Sequence, residues 1–150
     1  MADDDDVGRP LGELVPALRR TAYLLSGDWR RADEIVRLTL ARAVADRRQA
    51  RPADDLAAFL RAALVRCWST DHRRPDAGTA RRPELVRTLM RMPHRRRACV
   101  VLRYWERCGA EETARLLGCP PRVVHRETSE GLKALLGLRP EHDDEHSGPR

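Results

Sequence analysis

The chain has 150 residues, a hydrophobic fraction of 41%, aromatics at only 4% and a net charge of +6. This length allows one medium domain or two small ones, and the apolar content is enough for packed helical cores. No run of 18 apolar residues exists, which excludes a membrane-spanning helix; the N-terminus MADDDDVGRP lacks the basic and apolar parts of a signal peptide, so a cytoplasmic location is expected.

Charge is unevenly distributed. The first ten residues carry four Asp and residues 139–150 carry four acids; removing these ends leaves 26 basic and 15 acidic residues, a body of +11. Such a body suits a polyanionic partner. The cysteines, Cys67, Cys99, Cys108 and Cys119, form no CxxC pair and read as small buried hydrophobes.

Residues 1–10 are expected to be a disordered acidic N-terminus. A first helix is predicted over Leu11–Ser26 from Leu11, Leu14, Leu18, Thr21 and Leu25, with Pro16 in its first turn so that its start lies near Val15. A second runs from Trp29 to about Asp46, burying Ala32, Ile35, Val36, Thr39, Ala43 and Val44. Residues 47–53 form a basic loop, and Asp54 or Asp55 caps a third helix. That third helix has the cleanest period in the chain: Leu56, Phe59, Leu60, Ala63, Leu64, Cys67 and Trp68, with Arg61 and Arg66 on its outer face. Three such stripes close a small bundle over residues 11–74.

Residues 75–82, PDAGTARR, lack periodicity and read as a linker. A fourth helix follows Pro83, with Leu85, Val86, Leu89 and Met90 apolar. A fifth covers about His94–Arg107, with Ala98, Val101, Leu102 and Trp105 inward and Arg95, Arg96 and Arg103 outward. Two helices with a tight turn come next. Thr113, Ala114 and Leu117 share a face of the first; Gly118 suits a left-handed stop and Pro121 the first position of the following helix. Val124, Leu132 and Leu135 face inward there, and Arg122, His125, Arg126 and Ser129 face out. This is the pattern of a helix-turn-helix, whose second helix enters the DNA major groove; an ordinary helical hairpin is the plainer alternative. No strand is predicted, so the fold class is all-α, two small helical domains (11–74 and 83–138) with a short flexible linker and a disordered tail over 139–150.

The order of parts resembles the extracytoplasmic-function (ECF) sigma factors, especially their short actinobacterial sigma-E-like family. Leu18–Val44, LRRTAYLLSGDWRRADEIVRLTLARAV, is similar to region 2 of that family, which has AYLLTGD followed by AEDLVQET. Asp55–Arg74 is similar to the rest of region 2. Leu89–Cys119, LMRMPHRRRACVVLRYWERCGAEETARLLGC, is similar to region 4, whose form is LPxRQRAVVVLRYxExLSxxEIAxxLGC.

The resemblance implies a transcription initiation factor and no enzyme, cofactor or metal. Region 2 is then expected to bind core RNA polymerase through Asp33, Glu34, Arg37 and Leu38, and the melted −10 element through Arg47, Arg48, Arg51, Arg66, Arg73 and Arg74. Region 4 is expected to read the −35 element through Arg122, Val123, His125, Arg126, Glu127, Ser129 and Glu130. Partners are core polymerase, promoter DNA and a possible anti-sigma factor, without a membrane. Several positions depart from the family form. Arg37 and Leu38 replace Gln and Glu, and Arg66 replaces Asn. In VHRETSEGL, Val124–Leu132, against VKSRLSRAL, Glu127 and Glu130 replace arginines, Thr128 an apolar residue and Gly131 an alanine. An acid near phosphate weakens binding, so arginine at 127 and 130 is expected to strengthen duplex binding. The alternative reading is a sigma-like regulator that acts by protein contact with polymerase or an anti-sigma factor and reads no promoter itself.

Overall fold

The computed structural model describes residues 4–46, 56–71 and 81–137, with side chains from residue 11 onward. All regular structure among them is helical: α1 (Asp4–Ser26), α2 (Trp29–Asp46), α3 (Leu56–Ser69), α4 (Glu84–Arg91), α5 (His94–Val100) continued by a π-turn (Val101–Trp105), α6 (Ala110–Leu117) and α7 (Pro121–Leu135).

Helix α1 begins at Asp4, well before the expected start near Val15 and seven residues before Leu11, and places Pro10 and Pro16 inside the helix. The carbonyl crowded by the Pro16 ring belongs to Gly12, which has open space around it. Helix α1 stops at Gly27, whose positive φ of 74° makes the turn into α2.

The α2 and α3 stripes are as the spacing predicts, with one exception in α2: Val44 is 72% exposed. It lies one residue, about 100° of helix rotation, past the buried Ala43. Arg61 departs in the other direction. It was expected on the outer face of α3, yet its side chain is 19% exposed because α6 and the end of the π-turn cover that side.

The N-terminal half (α1–α3) and the C-terminal half (α4–α7) share one apolar core. Leu18, Ala22 and Leu25 of α1 and Leu60, Leu64 and Trp68 of α3 cluster with Leu89, Met92, Ala98 and Val101. Val65, on a face of α3 that its period does not mark, packs on Leu102 and Cys108. Trp68 stacks on His94 with ring centroids 3.7 Å apart.

Polar groups seal the same seam. Arg97 is 6% exposed. Its guanidinium donates to the carbonyls of Leu25 and Leu89 at 2.8 Å, Met92 at 3.2 Å and Met90 at 3.4 Å. The C-terminal ends of α1 and α4 thus converge on one cation, the favourable sign for a helix C-terminus. Burial lowers the Arg97 pKa. Arg82 donates to the Gly27 carbonyl at 2.7 Å. Arg61 donates to Glu106 at 2.8 Å and to Glu112 at 3.3 Å, and the Thr21 hydroxyl donates to Glu106. Burial opposes the Arg61 charge, but the hydrogen bond to Glu106 and the surrounding negative charges raise its pKa on balance.

The π-turn corrects the reading of Trp105 as a core residue. Trp105 is 52% exposed, and Tyr104 beside it 55%. A π-turn holds one residue more than an α-turn, which sets every later side chain back by about 100°. Trp105 therefore leaves the inner stripe and Glu106 arrives there instead, facing Thr21 and Arg61. Leu85 of α4, read as apolar stripe, is likewise exposed at 53%, one residue before the buried Val86.

Candidate nucleic-acid interface

The turn between α6 and α7 is built as its residues require. Gly118 ends α6 in the left-handed region at φ 64°, with its N–H bonded to the Ala114 carbonyl. Pro120 is extended and Pro121 opens α7. Thr113, Ala114 and Val124 are buried and set the two helices at a fixed crossing. Arg122, His125, Arg126 and Ser129 are all exposed, and their three- and four-residue spacing keeps them on one face.

Val123 is half-buried. Its N–H donates to the Pro120 carbonyl at 3.0 Å, and Pro121 has no N–H to offer. The free backbone donors at this helix start are thereby reduced, and the charge it presents comes from side chains. Exposed Arg115 on α6 adds another cation beside the turn.

The two glutamates of α7 do not stand bare among these cations. Glu127 is 14% exposed; its Oε2 accepts from Arg96 Nε of α5 at 2.8 Å and its Oε1 lies 3.6 Å from Arg126. Glu130 is exposed and pairs with Lys133 at 3.3 Å. Arg96 is correspondingly not the free outward cation its position in α5 suggested. Its role was invisible to local periodicity because its partner lies 31 residues away.

The candidate polymerase face lies on α2. Asp33 accepts from Arg19 of α1 at 2.6 Å. That hydrogen bond holds the Asp33 carboxyl below its usual range and raises the Arg19 pKa. Arg19 also lies 4.5 Å from the Trp29 ring centroid, and Trp29 stacks on Tyr23 at 3.9 Å. Glu34 is half-buried, Arg37 exposed and Leu38 59% exposed. Leu38, Ala41 and Val44 follow one another at three-residue steps on the open side of α2. Val44 is the member that the sequence reading assigned to the core; its exposure together with Leu38 is the signal that recovers it.

Of the residues expected at the −10 element, Arg66 is exposed on α3. Arg47, Arg48, Arg51, Arg73 and Arg74 lie outside the described residues.

Residues 82–135 match the family described as Sigma-70, region 4. Helices α4–α7 are thus similar to that family, over about a third of the chain. The whole chain has the sigma-factor fold: it superposes on the sigma factor RpoE from a co-crystal structure with the anti-sigma factor NepR from Bartonella quintana, with a TM-score of 0.69 and 21% identity over 89% of this chain and 96% of that one. A complex of RsbN and BldN also matches, at 21% identity over 88% of this chain and 90% of that chain, with a TM-score of 0.38 that bears no weight for the fold. No curated protein sequence matches. Within the matched segment α6 and α7 form a helix-turn-helix, and α4 and α5 form the support on which it is mounted.

Proposed function

We propose that this chain is an RNA polymerase sigma factor of the ECF type, in which the N-terminal half binds core polymerase and the melted −10 element while region 4 reads the −35 element. The observation that carries the reading is the region 4 match on a helix-turn-helix whose second helix turns Arg122, His125, Arg126 and Ser129 outward together. Arginine at these positions suits both phosphate oxygens and guanine edges. The open α2 stripe of Leu38, Ala41 and Val44, beside Asp33 and Arg37, supports docking of polymerase on the N-terminal half. RpoE was crystallised with an anti-sigma factor, and a comparable protein partner for this chain belongs to the same proposal.

The alternative, a regulator that reads no promoter, drew on Glu127 and Glu130 and on the change at Arg37 and Leu38. Both are engaged with cations of their own chain, so neither stands as an uncompensated charge against DNA. Run-off transcription with core polymerase on genomic fragments tests the choice. Start sites that depend on this protein establish the sigma factor. Polymerase binding without any start site supports the regulator.

A further inference from the structure

Three positions at which this chain departs from the form it resembles meet at one place. Arg96 stands where that form has Gln, Glu127 where it has Arg, and Gly131 where it has Ala. In the structure they touch. Glu127 and Gly131 lie one turn apart on α7 and face α5. A Cβ built on Gly131 falls far inside contact distance of the Val100 methyl, 3.4 Å from Arg96 Cγ and 3.6 Å from Met92 Sδ. The missing side chain is what lets the Val100 methyl sit against α7, with the Arg96 stem alongside at contact distance, and the Arg96 head reaches the Glu127 carboxylate at 2.8 Å.

From this arrangement we infer that Glu127 is a positioning residue of the recognition helix. Its carboxylate, held by Arg96 one turn from the close approach of Val100 to Gly131, fixes the seat of α7 on α5. Its second oxygen faces Arg126 at 3.6 Å and restrains that outward arginine. The inference rests on the reading that α7 binds duplex DNA. It reverses the sign that simple charge counting assigns to this residue. If Glu127 were a bare acid near phosphate, removing it would tighten binding and steepen its salt dependence. As a positioning residue, its removal loosens the helix and weakens binding although the chain becomes more positive.

The test measures binding of the full chain to a labelled pool of randomised duplex DNA, across a salt series, with melting temperature recorded for each variant. Glu127→Ala and Glu127→Arg are expected to weaken binding by about tenfold, the usual size of a lost coupling between contacting groups, with no steeper salt slope. The charge swap Arg96→Glu with Glu127→Arg restores the cross-helix pair and is expected to recover most of the loss. Tighter binding by Glu127→Ala, or a swap no better than Glu127→Arg alone, overturns the inference. Should Glu127→Arg fail to fold, Glu127→Ala decides the matter by itself: weaker binding at unchanged melting temperature supports positioning, and unchanged or tighter binding overturns it. Absence of duplex binding by the unaltered chain removes the DNA-reading function, and the positioning role with it. That failure is distinct because it appears before any variant is compared.

Discussion

The two halves of the molecule are held together by different chemistry. In the N-terminal half, leucine, isoleucine and alanine stripes on α1, α2 and α3 meet in the core, and most charge points to water. In the C-terminal half several arginines are structural. Arg97 is buried on four carbonyls, Arg96 pins α7 to α5, and Arg103 donates to the Cys108 carbonyl at 3.0 Å. With short helices of seven or eight residues, this half has little apolar surface per element and many helix ends to satisfy. Guanidinium groups, with five donors on a rigid fork, do that work. The lesson is that arginine content alone misstates how much of a basic chain is available to a polyanion.

The sharpest way to break the comparison is to place a core deletion in each half. Arg97→Leu is expected to cost about 3 kcal/mol, because it strands carbonyls contributed by both halves; Leu64→Ala in the N-terminal core is expected to cost a similar amount, within about 2–5 kcal/mol. Equal losses by chemical denaturation confirm that a buried cation ranks with a core leucine here. Second in size is Gly131→Ala. Helix propensity favours alanine by about 1 kcal/mol, but overpacking against Val100 costs about 1–3 kcal/mol, so a net loss of stability is expected, and Val100→Ala should relieve it. A gain in melting temperature from Gly131→Ala would show that α7 does not need its close approach. Next comes Glu106→Ala, expected to lose about 1–2 kcal/mol, since Arg61 keeps Glu112 as a second partner. Thr128→Val should move stability the other way by about 1 kcal/mol, as it removes a buried hydroxyl without a hydrogen-bond partner.

The smallest effect at neutral pH comes from the thiols. Burial raises Cys99 and Cys108 from 9.0 to about 11. The unfolded chain therefore loses these protons more readily than the folded one. Their contribution is whole below pH 9 and is lost as pH climbs toward 11. Melting curves taken across that window should fall, and Cys99→Ala should flatten the fall.

Most of the fold was legible because it rests on period. The stripes of α2 and α3, the Gly118 stop and the Pro121 start follow local rules, and each is where the spacing puts it. The start of α1 was misjudged because an acidic run and two prolines read as a break, although acids also favour a helix start. The outward set on α7 was legible for the same local reasons. Pairings were not: Arg96 with Glu127, Arg61 with Glu106 and Arg97 with Leu25 join residues 31, 45 and 72 positions apart, and no periodicity connects them. Charge alone cannot say whether an arginine faces solvent, a carbonyl or a carboxylate. Trp105 failed for a different reason, since its position follows the 3.6-residue period only while the helix stays α.

That last point gives the π-turn a significance beyond its own five residues. Which residue meets Arg61 is set there by a count of residues and not by a choice among them. Deleting one position between Val101 and Trp105 would rewind the segment to an α-helix and leave the carboxylate in the seam, because the lost residue is the one the wider turn absorbs; rewinding at unchanged length would instead turn the indole in and withdraw the carboxylate. A change of winding at constant length would act as an exchange of glutamate for tryptophan in the seam, and a one-residue deletion would undo it.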